Sequence, residues 1–237
     1  MNDSDKRLQR TKRNVNVDFF KKWSPEMAYV LGFFAADGGI FKNSMGSKYI
    51  QLVSTDKEIL IAIKKMMNSK HKIGIKKKYA IDRREKECYL IQIGSKEMYN
   101  DLLKLGFMHR KDLMLNFPKI PKRHLNHFIR GYFDGDGSIS TGFYKRRARN
   151  DRMTHYILTS FTSGSREFLS GLSRRLRLAA YLGNGYLRCK SNSRTHQLFY
   201  STNDSRNLFE YMYKDINSEV DFYLKRKYNK FIKAFKN

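Results

Sequence analysis

The chain has little of what cross-links or stiffens a fold: two cysteines, three prolines and one tryptophan in 237 residues. Cys88 and Cys189 stand far apart and neither belongs to a C-x-x-C pair, which excludes a disulfide framework and points to a reducing compartment. His124 and His127 have no thiols at finger spacing, so a zinc finger is excluded too. Long apolar runs are missing. The longest, Met27 to Ala36 with Gly32 inside it, is about half of what a membrane span needs. Residues 1–18 are polar and mixed in charge, without the apolar stretch of a secretory leader. The expectation is a cytoplasmic or organellar, nucleoid-associated protein with no membrane partner.

Acids are scarce as well. Against 48 Lys and Arg there are 22 Asp and Glu, a net charge of +26. Such an excess repels itself in a compact chain, and a polyanion relieves the repulsion by shedding its own counterions. A composition of 41% hydrophobic and 14% aromatic residues supplies a packed core, which excludes a disordered basic tail. Nucleic acid is the partner that this balance calls for. The length suits one large domain or two smaller ones.

What is present is a repeat. Tyr29-Val-Leu-Gly-Phe-Phe-Ala-Ala-Asp-Gly-Gly-Ile40 returns, altered, as Phe128-Ile-Arg-Gly-Tyr-Phe-Asp-Gly-Asp-Gly-Ser-Ile139, and one offset relates Gly32 to Gly131 and Asp37 to Asp136. The sequels match in plan. Helix patterns run from Asp56 to Met67 and from Ser165 to Leu178, each followed by a glycine-containing turn (Gly74; Gly183 and Gly185), basic strand-like runs and another helix. Ser24-Pro25-Glu26 is a helix start: a capping hydroxyl, a proline at the first position and an acid in the first turn. Strands are predicted at Tyr49–Ser54, Ile73–Ala80, Tyr89–Ile93, Tyr156–Thr162, Tyr186–Lys190 and Gln197–Ser201. The division expected is an N-terminal extension over 1–23, a first unit over 24–117 and a second over 118–237.

Gly32 and Ala36 share one helix face, as do Gly131 and Gly135, and small residues at that spacing let helix backbones approach closely. Asp37 and Asp136 fall where each helix should end, before Gly38 and Gly137, which read as left-handed C-terminal caps. A carboxylate there faces unpaired carbonyls and the negative end of the macrodipole, at a cost of roughly 0.3–1 kcal/mol. Repeated at duplicated positions, it gathers negative charge that a hard cation would neutralise. Carboxylates, carbonyls and water are a shell for magnesium or calcium.

Val30-Leu-Gly-Phe-Phe-Ala-Ala-Asp-Gly38 and Ile129-Arg-Gly-Tyr-Phe-Asp-Gly-Asp-Gly137 resemble the paired motifs of single-chain LAGLIDADG homing endonucleases, and the spacing fits from about Ser24 to Lys233. The resemblance implies an α+β fold of two pseudo-symmetric αββαββα units. Motif helices pack at the centre, and the antiparallel sheets form a DNA-binding saddle. It implies a magnesium-dependent endonuclease, with manganese able to substitute and calcium supporting binding without cleavage. Such an enzyme acts as a monomer on a long, non-palindromic duplex and leaves short 3′ overhangs. Asp37 and Asp136 would be the catalytic metal ligands, with carbonyls of Ala36 and Gly135. Lys111 and Lys227 match the basic residue placed near each scissile phosphate, although in so basic a chain either could be a solvated surface lysine. Two departures stand out: Ala35 replaces the acid found at Asp134 in the second copy, and Gly39 replaces the usual hydroxyl residue.

DNA contacts are expected along the basic runs: Lys76, Lys77, Lys78, Arg83, Arg84, Lys145, Arg146, Arg147, Arg149, Arg188, Lys190, Asn192 and Arg194. Gln51, Gln92, Arg188 and Gln197 are the candidates for reading bases, because Arg bonds guanine and Gln adenine in the major groove. A one-residue shift of register would turn any of them toward the helices instead. The same fold also serves as an intron maturase, which binds RNA and assists splicing without cutting DNA.

Overall fold

The computed structural model describes residues 14–76, 87–108, 116–146, 151–189, 194–214, 216 and 223–236. Among them the elements run α1 (Pro25–Asp37), β1 (Gly38–Lys42), β2 (Lys48–Ser54), α2 (Lys57–Met66), β3 (Ile73–Ile75), β4 (Tyr89–Ile93) and α3 (Lys96–Lys104). A second series follows: α4 (Leu125–Asp136), β5 (Gly137–Arg146), β6 (Arg152–Ser163), α5 (Arg166–Ala179), β7 (Tyr186–Cys189), β8 (His196–Tyr200), α6 (Thr202–Tyr213) and α7 (Lys225–Lys236). The αββαββα plan appears twice, and α7 adds a helix to the second copy. Gly74 lies inside β3 rather than in a turn. The part of the predicted Ile73–Ala80 strand beyond Lys76 lies outside the described residues.

Contacts group residues 1–111 with 118–131 as one unit, and 112–117 with 132–237 as the other. Each holds one four-stranded antiparallel sheet, ordered β1-β2-β4-β3 in the first and β5-β6-β8-β7 in the second. Local chemistry sets the helix starts. Ser24, Ser95 and Ser165 are extended and accept from the amides of Met27, Met98 and Phe168 at 3.1, 3.2 and 3.1 Å, each satisfying a donor that the first turn leaves open. Just upstream, Ser54 and Ser163 accept from the amides of Asp56 and Ser165 and shape the strand-to-helix turns.

Alternate strand residues point into each core. Ile40, Ile50, Leu52, Ile91 and Ile93 are buried in the first sheet; Ile139, Ile157, Phe161, Leu198 and Tyr200 in the second. In the first unit α1 is buried almost all round, and a Cβ on Gly131 would stand 2.0 Å from the Tyr29 carbonyl oxygen. The first half of α4 thus touches the α1 backbone, as the small-residue spacing predicts. Nearby, the His124 ring stacks on Trp23 with an interplanar angle of 13°. Its Nε2 accepts from Arg123 Nε at 3.1 Å, and burial, with the Arg123 charge beside it, lowers the His124 pKa below the usual histidine value.

Candidate active site

Each motif helix passes directly into a strand, so Asp37 and Asp136 are the junction residues, and both are half-buried. The glycines that follow do not form left-handed caps. Gly38 is extended, with φ −102° and ψ 169°, and Gly137 also lies outside the left-handed region. Space is what demands glycine. A Cβ on Gly38 would sit 2.3 Å from Cδ2 of Phe34, and one on Gly137 would sit 2.1 Å from Cδ2 of Phe133 and 2.5 Å from its carbonyl oxygen. The aromatic ring one helical turn earlier lies over each bend.

In the second unit the end of α4 is held by a cation of the chain itself. Lys227, on the first turn of α7, is 6% exposed. Its Nζ donates to the carbonyls of Phe133, Asp134, Gly135 and Gly137 at 2.7, 2.8, 3.0 and 2.7 Å, and lies 5.3 Å from the centroid of the Phe133 ring. Three N–H groups are shared among four oxygens. A helix leaves its last carbonyls without partners, and a cation there is worth about 0.3–1 kcal/mol, rising to about 2 when partly buried. The reverse contact exists too: Asp134 Oδ2 accepts from the Leu224 amide at 2.9 Å, just ahead of α7. Asp134, 3% exposed, is therefore structural, and α4 and α7 each supply the charge that the other's terminus wants. Ala35, at the matching position of the first unit, is buried and brings no such charge.

Lys227 is not the solvated surface lysine that a basic composition allows. Asp134 and Lys227 are far apart in the chain, so no local pattern announces their contact. Lys111 lies outside the described residues, as do Lys77, Lys78, Arg83, Arg84, Arg147, Arg149, Lys190 and Asn192.

The register decides where the proposed base readers point. Gln51 pairs with Gln92, between the buried pairs Ile50–Ile93 and Leu52–Ile91, so both glutamines lie on the face away from the helices of their unit. Arg188 pairs with Gln197 and likewise lies on the open face of the second sheet, its Nη2 donating to Gln197 Oε1 at 3.3 Å. Lys145 is exposed near the end of β5, Arg146 continues that strand, and Lys76 and Arg194 are exposed beyond strand ends. The same faces carry residues the sequence reading missed. Phe41 stacks on Tyr49 with an interplanar angle of 16°, Tyr186 lies against Phe199, and the Arg188 guanidinium sits 4.8 Å from the centroid of the Phe199 ring. Their signal was alternation with the buried residues of the same strands.

Two like units, each turning from a motif helix into a sheet at an aspartate, define a duplicated α+β protein with an acid at each helix-to-strand bend. The chain belongs to the LAGLIDADG family: residues 24–105 and 124–213 match the LAGLIDADG-like domain. Two solved structures share the fold. One is I-SmaMI bound to uncleaved DNA target in the presence of calcium ions, 16% identical, covering 91% of this chain and 90% of that one with a TM-score of 0.56. The other is the I-LtrWI LAGLIDADG homing endonuclease bound to target DNA, 11% identical, covering 93% and 90% with a TM-score of 0.55. An uncharacterised protein of Methanocaldococcus jannaschii is 26% identical over 121 residues, which are 50% of this chain and 41% of that protein; the chain thus spans less than half of its length. Among the described residues no helix is long and apolar enough to cross a membrane.

Proposed function

We propose that the protein is a site-specific homing endonuclease that makes double-strand breaks in a long, non-palindromic DNA target, leaving short 3′ overhangs. The observation that carries this reading is the matched pair of half-buried aspartates, Asp37 and Asp136, each at the bend where a motif helix of a LAGLIDADG protein becomes a strand. Relatives of this fold crystallised on DNA, one with calcium ions, support duplex DNA as partner and a divalent cation as cofactor.

The donors fit magnesium. They are carboxylates and backbone carbonyls, hard oxygens at helix ends, and the end of α4 already attracts a cation in the form of the Lys227 ammonium. In the first unit Asp37 with the carbonyl of Ala36, and in the second Asp136 with the carbonyl of Gly135, would be the ligands offered to a divalent ion, and the scissile phosphates would supply further oxygens. One lone pair of the Gly135 carbonyl is engaged by Lys227, which leaves the other for a metal. A divalent ion bound there would supply Lewis-acid polarisation of a phosphoryl oxygen and a lowered pKa of a bound water. The carboxylates bind and orient. Lys111 would lie near a scissile phosphate and offset the charge that develops there. The open sheet faces supply Gln51, Gln92, Arg188 and Gln197 for base edges, and Lys76, Lys145 and Arg194, exposed near or beyond strand ends, are offered for phosphates.

The test begins with selection of cleaved sites from a randomised duplex library of about two helical turns, with the mass of the protein–DNA complex measured alongside. One protein chain on an asymmetric site is expected. Asp37→Asn or Asp136→Asn should then abolish cleavage in magnesium while affinity in calcium stays within about tenfold of the parent. Either variant cutting both strands at the parental rate would defeat the assignment. Tighter binding of structured RNA than of any duplex, without cutting, would make the protein a maturase.

A further inference from the structure

The four oxygens around Lys227 lie on both sides of one residue. Phe133, Asp134 and Gly135 close the last turn of α4, Gly137 opens β5, and between them stands Asp136. One buried ammonium therefore spans the bend that presents this carboxylate. With every N–H shared among carbonyls, little donor capacity remains for a phosphate. Two further contacts hold the ammonium in place. The Leu224 amide is tied to Asp134 Oδ2 at 2.9 Å, and the Lys227 amide donates to the Leu224 carbonyl at 2.9 Å, so the first turn of α7 is locked to the end of α4. The Phe133 ring, which closes the space a Gly137 side chain would need, lies beneath the ammonium.

We propose that Lys227 is a positioning residue: it anchors the helix-to-strand bend around Asp136 and so sets the direction of that carboxylate, rather than acting on the scissile phosphate. The inference rests on the reading of Asp136 as a ligand of a divalent cation. It gives the added helix α7 a task, since α7 delivers the ammonium. A guanidinium is planar and branched, and cannot place one compact charge among four converging carbonyls, so arginine is no substitute here.

The experiment uses the full chain and manganese alone, titrated by electron paramagnetic resonance, beside amide hydrogen exchange of residues 133–139. Lys227→Met and Lys227→Arg should each weaken manganese binding by roughly 10–100-fold, as loss of a residue that orients a ligand does, and should speed exchange across the bend. A lysine that faced the phosphate would leave both quantities as in the parent. Parental manganese affinity and parental exchange in Lys227→Met would overturn the proposal. Asp136→Asn is run in parallel: if it binds manganese as the parent does, the metal reading fails, and exchange at the bend alone then judges the anchor. Should Lys227→Met fail to fold, native-state acetylation of the parent protein decides. Lys227 should stay unmodified under conditions that acetylate Lys145, and equal rates at the two lysines would overturn the proposal.

Discussion

Single residues in this protein are chosen by contacts that reach well beyond their neighbours in the chain. Gly131 shows it. In a helix interior, alanine is ordinarily better than glycine by about 0.5–1 kcal/mol. Here a Cβ would meet the Tyr29 carbonyl oxygen at 2.0 Å, and backbone cannot swing aside as a side chain can. Gly131→Ala should therefore destabilise by at least about 1–3 kcal/mol in urea unfolding. Gly74→Ala, with nothing within 4 Å of its Cβ, should be neutral or slightly stabilising. Equal midpoints for the two variants would contradict the close approach of α1 and α4. His124 provides a second residue-scale test. Burial, then Arg123, lowers its folded pKa, so below the ordinary value of about 6.5 the unfolded chain binds a proton that the folded ring refuses. Stability should fall as pH drops from about 7 and level off once the folded ring also protonates. His71, lowered first by burial and then by Lys64, adds to the same slope. Melting temperatures taken from pH 7.5 to 5 should decline in the parent and decline less in His124→Phe. An unchanged slope would remove His124 from the account.

At the scale of elements, the helix starts are local and the helix ends are not. Ser165 is fully buried and caps α5 through the Phe168 amide, whereas Ser201, ahead of α6, makes no side-chain cap bond. Ser165→Ala should cost roughly 1 kcal/mol, within the 0.5–2 span of such caps, and Ser201→Ala close to nothing. Chemical denaturation of the two variants measures the difference, and a larger loss at Ser201 would refute it. The end of α4 follows a different rule. Its carbonyls are satisfied by a lysine some ninety residues later in the sequence, and the glycine after it serves an aromatic ring rather than a left-handed turn. Both motif helices end on an acid, yet only the second has another acid two places earlier, Asp134, which the Leu224 amide holds; the first has Ala35 there.

For the whole molecule the net charge of +26 makes a quantitative demand. If the open faces follow a DNA backbone through many phosphate contacts, affinity for a cognate duplex should fall steeply with salt, with a log–log slope of at least about −5. Fluorescence anisotropy across a salt series reads this directly, and a nearly flat line would exclude broad phosphate contact. The units are alike in topology and unlike in content. β5 and β6 have 10 and 12 residues where β1 and β2 have 5 and 7, and Gln51 facing Gln92 is answered by Arg188 facing Gln197. Unlike faces prefer unlike half-sites, which is the ground for expecting an asymmetric target.

The amino-acid sequence alone determined the excess of positive charge, the duplication, the order of elements and the place of Asp37 and Asp136 at the ends of the repeated motifs, because each is written in composition, in a repeat or in short-range periodicity. Tyr89–Ile93 was legible residue for residue, and the cap at Ser24 was legible from three adjacent letters. Tertiary structure decided what depends on contacts distant in the chain. Strand register put Gln51, Gln92, Arg188 and Gln197 on the open faces, where a shift of one residue would have buried them. Packing set the reason for Gly38 and Gly137, since only the folded chain lays Phe34 and Phe133 over them. It also took Lys227, one basic residue among 48, and enclosed it among carbonyls, because there the unsatisfied end of one helix meets the start of another.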